Sequence, residues 1–169
     1  NIGDLYRRSN DYPKAIEHFN QSLELDRASG DIESQAVTLN TIGVTYSAQG
    51  DKQEALNYFN QALPLRRQAK DRSGEAGTLN AIAVTTAELG DRRKAINDFQ
   101  QVLSLRKEIK DRRGEAVTLN NIAANYQVLG EKRKAVENFS KALEIFRALR
   151  DQQSQANTLS NLGTVYSDL

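Results

Sequence analysis

One histidine, no cysteine and a scatter of carboxylates are the raw material this 169-residue chain offers to catalysis or metal binding. Without cysteine there is no thiol nucleophile, disulfide or thiolate metal ligand, and the redox compartment stays open. His18 stands beside Phe19, where a packing or surface role is expected rather than proton transfer. Asp71 with Glu75, and Asp111 with Glu115, are spaced one helical turn apart, so they could pair. Negative charge at the start of a helix explains them better, because it opposes the positive end of the helix dipole. Neither a glycine-rich phosphate loop nor an HExxH pair occurs. The expectation is no catalytic, cofactor or metal-binding residue, and no enzyme.

The cations are more numerous. Lys and Arg gather at Arg66, Arg67, Lys70 and Arg72, again at Arg106, Lys107, Lys110, Arg112 and Arg113, and at 92–94 and 132–134. Residues 51–150 hold 19 basic and 13 acidic side chains, against 4 and 7 in residues 1–50. The first two clusters fall where helix C-termini are expected, a position that favours cations. Nucleic-acid binding would want aromatic side chains among the charges. The aromatics here belong to the core pattern, so no nucleic-acid partner is expected.

Asparagine recurs at a fixed interval of 40 residues, at Asn40, Asn80 and Asn120. Each closes a Thr-Leu-Asn triplet beginning at Thr38, Thr78 or Thr118, and Thr158-Leu159-Ser160 continues the series. Gly50, Gly90 and Gly130 keep the same interval, with Asn10 in the equivalent place; so do Ala15, Ala55, Ala95 and Ala135, and Phe19, Phe59, Phe99 and Phe139. A fixed period in several independent columns marks a repeat architecture.

Each unit spells two helices. Leu39, Ile42, Gly43 and Tyr46 recur at i, i+3, i+4 and i+7, one face of a helix, and Ala55, Phe59, Ala62 and Leu63 form a second such stripe after Gly50. Glycine ends a helix by adopting a left-handed backbone, and asparagine is its usual substitute. Asp11, Asp51 and Asp91 at one junction, and Asp31, Asp71, Asp111 and Asp151 at the other, are placed to cap the following helix. Pro13 suits a first turn, whereas Pro64 removes a hydrogen bond inside a helix and predicts a kink near Leu63.

The pattern predicts helices over 1–9, 12–29, 32–49, 52–70, 72–89, 92–110, 112–129, 132–150 and 152–168. A breaker every 20 residues argues against a continuous coiled coil, and short connections make neighbours antiparallel. The organisation expected is one array over 1–169, with a partial repeat (1–30), repeats at 31–70, 71–110 and 111–150, and the first helix of a further repeat (151–169). No apolar run approaches the roughly 20 residues that span a bilayer. The protein is expected to be cytoplasmic, with no membrane contact.

These columns resemble the tetratricopeptide repeat family. Its motif of a large apolar residue, Leu or Ile, a small residue, an aromatic, Ala, an aromatic and Ala reads here as Leu39, Ile42, Gly43, Tyr46, Ala55, Phe59 and Ala62. It reads again as Leu119, Ile122, Ala123, Tyr126, Ala135, Phe139 and Ala142. Thr86 replaces the aromatic, Val102 and Ser22 replace the last alanine, and the closing proline is absent. The period exceeds the usual 34 or so residues and is similar to the extended repeats of kinesin light chain, spindle-orientation scaffolds and bacterial proteins carrying CHAT-type protease domains. The resemblance implies an all-α fold of antiparallel hairpins stacked as a right-handed superhelix, an α-solenoid.

It also implies that the first helix of each hairpin lines an inner groove, where a protein or peptide partner binds. The groove residues so placed are Asn40, Val44, Asn80, Val84, Asn120, Asn121, Gln127 and Asn161. Asparagine offers both donors and an acceptor to a bound backbone. The chaperone-tail type of groove, which clamps a terminal carboxylate with lysine and arginine, is not expected, because those residues are missing from these positions. Two alternatives stand beside peptide binding: the asparagines could bond only within the array, or the chain could be a spacer whose ends self-associate through faces such as Leu159, Leu162 and Tyr166.

Overall fold

The repeated pattern folds as α-helix throughout residues 2–167, which the computed structural model describes: α1 (Ile2–Arg8), α2 (Tyr12–Ser29), α3 (Ile32–Gln49), α4 (Lys52–Gln68), α5 (Arg72–Glu88), α6 (Arg92–Glu108), α7 (Arg112–Val128), α8 (Lys132–Ala148) and α9 (Gln152–Ser167). No strand occurs among the described residues. Residues 1 and 168, expected at the ends of the first and last helices, lie outside them.

The junctions show why each helix stops. Gly50, Gly90 and Gly130 have φ of 103°, 97° and 75°, and Asn10 takes φ 61°. At the alternate junctions Gly30 is followed, one repeat on each time, by Lys70, Lys110 and Arg150 with φ of 57°, 59° and 56°. Their backbone bonds match those of Gly30: Lys70 N–H donates to the Arg67 carbonyl and Asp71 N–H to that of Arg66. Here the sequence expectation overran, because helices drawn to 70, 110 and 150 end at 68, 108 and 148. A left-handed lysine or arginine costs about 1–2 kcal/mol, and the two carbonyls satisfied by the turn offset it.

Asp31, Asp71, Asp111 and Asp151 accept from the backbone N–H three residues on at 3.0, 2.8, 2.8 and 3.1 Å. Asp91 does the same at 3.0 Å and Asp11 more weakly at 3.4 Å. Asp51 departs from the expectation and makes no side-chain cap bond. Helix α4 runs through Pro64, which is exposed.

The chain divides into two compact units, residues 1–89 and 90–169. In the first, Ala15, Phe19, Leu23, Leu39, Ile42 and Ala62 form one buried cluster, with Tyr6, Tyr46 and Tyr58 packed on it. Ala55, Phe59 and Ile82 form another. In the second unit, Ala123, Ala135, Phe139, Leu143, Leu162 and Val165 pack together, and Ala116, Leu119, Ala142, Ile145 and Phe146 make a further cluster. The small residue of the motif is a contact requirement at Gly43, where a Cβ would come within 2.6 Å of the Phe59 ring.

Candidate interaction surface

The first helices carry almost no charge between their ends. Residues 34–50, 76–87, 116–130 and 152–167 contain no Asp, Glu, Lys or Arg, whereas α8 carries charge along its length and α6 carries Asp98 between its charged ends. Helices with one apolar stripe normally present charge to water on the opposite side. Here the exposed side of the first helices instead shows Val37, Val44, Val117 and Val128.

In the first unit this face holds two cavities. One, of about 250 Å³, is lined by Asp4, Arg7 and Phe19 from α1 and α2, and by Val37, Thr38, Asn40, Thr41 and Val44 from α3. The other, of about 390 Å³, lies between α3 and α5, where Val44, Ala48, Asn80 and Val84 meet Ser47, Lys52, Phe59, Ala81 and Thr85. Val44 borders both. Lys52 Nζ is held by the Ser47 carbonyl at 2.8 Å, the Ser47 hydroxyl at 3.0 Å and Glu88 at 2.6 Å. Asn80 Oδ1 is buried without a hydrogen-bond partner, and an unmet buried acceptor costs about 1–3 kcal/mol.

The asparagine column splits into different duties. Asn40 Oδ1 accepts from the Thr78 hydroxyl at 3.2 Å, and Asn120 Nδ2 donates to the Thr158 hydroxyl at 2.9 Å. These bonds tie one first helix to the next. In the second unit Asn121 is half-buried, and its carbonyl accepts from Asn125 Nδ2 at 2.8 Å; Gln127 is half-buried and Asn161 is exposed. Thus Asn40, Val44, Asn80 and Val84 are gathered around the two cavities, while Asn120, Asn121, Gln127 and Asn161 lie along α7 and α9 of the second unit. The threonine partners were missed in the sequence, although the signal was present: the threonine of one triplet stands 38 residues beyond the asparagine of the preceding one.

Most of the cations at the ends of second helices serve the fold. Arg66 meets Asp71 at 2.5 Å, and Arg106 meets Asp111 at 3.2 Å. The interlock depends on glycine, because a Cβ at Gly74 would sit 2.7 Å from Arg66 Nε, and one at Gly114 would collide with the Arg106 guanidinium. Where the arginine is replaced by Asp26 or Phe146, serine takes the glycine's place, and Ser34 and Ser154 donate to the aspartates at 2.8 and 2.9 Å. Glu75, expected to serve the helix dipole, is buried and accepts from Arg67 at 2.8 Å and Arg72 at 2.7 Å. Burial pushes its carboxyl up, but the two guanidiniums together outweigh this and hold it below the ordinary value of 4.5. Glu115 is equally buried and pairs with Arg112. His18 stacks on Tyr6 with ring centroids 5.4 Å apart. Among the described residues, no three His, Asp or Glu side chains gather as metal ligands and no helix is long and apolar enough to cross a membrane.

First helices with uncharged middles, packed on second helices with Ala and Phe at fixed places, define a helical-repeat fold. The sequence profile of the Tetratricopeptide repeat matches residues 1–68, 74–148 and 114–169, and the chain belongs to that family. No curated protein sequence matches it. Among solved structures, the apo form of RapI superposes with a TM-score of 0.91 at 21% identity, covering 99% of this chain and 46% of RapI. A Rap protein complexed with Competence and Sporulation Factor gives 0.78 at 19% identity, covering 98% and 46%. The nearly identical TPR-like repeats of a putative kinesin light chain from Podospora anserina give 0.70 at 14% identity, covering 99% and 92%. At these identities the likeness shows the α-solenoid fold, and the chain spans less than half the length of either Rap structure. Tetratricopeptide repeats in general mediate protein–protein interactions and are not catalysts.

Proposed function

We propose that this chain binds a polypeptide segment of a partner protein along the first helices, with the face of α1, α3 and α5 as the principal contact. The observation that carries this reading is the pair of cavities flanking Val44, one lined by Asn40 and the other by Asn80. Packed helices stand about 8–10 Å apart, and an extended chain advances about 3.3 Å per residue. A segment crossing the helices would therefore offer side chains roughly three residues apart to the two cavities. The aliphatic walls suit aliphatic side chains, and the Asn80 amide stands between them to meet a backbone group. Asn40, Asn120, Asn121, Gln127 and Asn161 take a lesser part, since the first two are already bonded to threonines. The Rap protein complexed with Competence and Sporulation Factor supports the reading, as a protein of this fold with a bound partner.

The test selects peptides from a displayed random library on the intact chain and measures the winners by fluorescence anisotropy. Val84→Asp and Asn80→Ala should weaken binding without lowering the melting temperature, while Asn161→Ala should leave it unchanged. Peptides indifferent to both cavity variants would refute the groove.

A second reading, a spacer that associates through its end faces, draws support from α9. Leu159 is 48% exposed and Tyr166 59%, although Leu39, Leu79 and Leu119 in the same column are all buried. Sedimentation at rising concentration separates the two, because a peptide receptor stays monomeric.

A further inference from the structure

We propose that the edge of the second unit built from the first turns of α6 and α8 is a docking surface for an acidic polypeptide segment, a site distinct from the first-helix face. Arg92, Arg93 and Lys94 open α6, and Lys132, Arg133 and Lys134 open α8. The two turns adjoin, since Arg93 reaches Glu131, the residue preceding α8, at 3.2 Å.

Six cations in first turns stand against the helix dipole, whose N-terminal end is positive. Neither helix has an acidic residue in its first turn, and the single carboxylate at each capping position, Asp91 or Glu131, faces three cations. The repeat does not require them: the equivalent turns of the first unit carry one cation each, Lys14 and Lys52. Two of them, Lys132 and Arg133, are not consumed internally as the cations around Asp71 and Glu75 are. Of the other four, Arg92 donates to Asn125 at 3.1 Å, Lys94 pairs with Asp98 at 3.8 Å, and Arg93 and Lys134 share Glu131. The side chains of Lys132 and Arg133 have no hydrogen bond or ion pair among the described residues. Arg93 remains 76% exposed, and a cavity of about 390 Å³ is bordered by Gly130, Glu131, Lys132, Arg133 and Lys134.

Charge favours an acidic partner. The second unit carries 14 basic and 10 acidic residues, a net charge of +4, while the first has 9 and 12, a net charge of −3. A polypeptide fits better than a nucleic acid. The patch is two helical turns wide rather than a continuous stripe, and the Tyr126 ring beside it is covered by Lys134 at 5.2 Å.

The intact chain is titrated with a fluorescent oligoglutamate of about a dozen residues at low salt, where surface charges act over roughly 10 Å or more. Binding is expected, and Lys132→Glu with Arg133→Glu should weaken it about tenfold or more. Lys141→Glu with Arg147→Glu, an equal charge change on the same unit, should weaken it less than about twofold, and Asn80→Ala should leave it unaltered. The edge variant should melt no lower than the parent, because glutamate suits a first turn. The neutral pair Lys132→Gln and Arg133→Gln should give an intermediate loss while keeping the parent's melting curve, which separates weakened binding from misfolding. No binding, or equal loss in both charge-reversed variants, overturns the proposal. So does tighter binding to oligothymidylate or to phosphatidylserine vesicles, or a low-salt self-association that the edge variant abolishes.

Discussion

The two units answer the same packing problem with different residues. In the first, glycine lies beneath the phenylalanine: a Cβ at Gly3 would meet Phe19 at 2.7 Å, and one at Gly43 would meet Phe59 at 2.6 Å. In the second, Ala123 is fully buried in the same cluster as Phe139. The aromatic column varies as well. Tyr46 stacks on Tyr58 at 5.3 Å in the first unit, while Tyr6 in the first and Tyr126 in the second lie under the Lys14 and Lys134 ammoniums. Buried Glu75 is held by two arginines and buried Glu115 by Arg112. What recurs is the volume of the slot between helices; its chemical filling varies. Close-packed interiors tolerate exchange that conserves volume and resist exchange that does not.

The comparison is broken most severely at the phenylalanines. Phe59→Ala and Phe139→Ala should each cost about 3–5 kcal/mol. Phe59→Ala should fall at the higher end, because Gly43 leaves no methyl to occupy the void. Denaturant melts of the two variants decide this, and equal losses would show that the ring positions have relaxed alike.

Gly43→Ala tests the same difference from the other side. Overpacking against the Phe59 ring should cost about 1–3 kcal/mol, although alanine is at home in the equivalent position of the second unit. A neutral result by thermal denaturation would mean that the ring retreats freely.

Acid sharpens the contrast at Glu75. Its folded-state carboxyl titrates below the ordinary 4.5, so its contribution is fully present above that value and is lost as pH falls through the lower, folded one. Melting temperatures from pH 7 down to 3 should drop at the acid end, and Glu75→Gln should flatten that part of the curve. Asp31 and Asp151, lowered by hydrogen bonds from Ser34 and Ser154, contribute in the same direction.

The smallest effect concerns the turns. Lys70→Gly in the first unit and Lys110→Gly in the second should each raise stability by up to about 1 kcal/mol, since both residues hold a left-handed backbone that glycine adopts without strain. Chemical denaturation that shows a loss instead would mean that the side-chain stem packs usefully.

Much of this was legible in the residues. Periodic Leu, Ile, Phe and Ala placed the helices and their buried faces, and Gly50, Gly90 and Gly130 placed alternate turns. The turns at Lys70, Lys110 and Arg150 were drawn as helix, because lysine and arginine favour helices and nothing local announces a positive φ. The surface was half legible. Asn40, Val44, Asn80 and Val84 do surround the cavities, but nothing in the column distinguished Asn40, already bonded to Thr78, from Asn80, whose acceptor is unmet.

By itself, then, the sequence determined everything that depends on spacing along one chain: helix, turn, buried stripe and repeat, which arise from interactions within about four residues or from burial patterns with that period. Only the tertiary structure decided which polar groups are spent. A hydrogen bond from Thr78 to Asn40, an Arg66–Asp71 pair seated over Gly74, or Glu75 between two arginines depends on how closely neighbouring helices approach. That distance is set by side-chain volume across the packed interface, and no single column of the repeat records it.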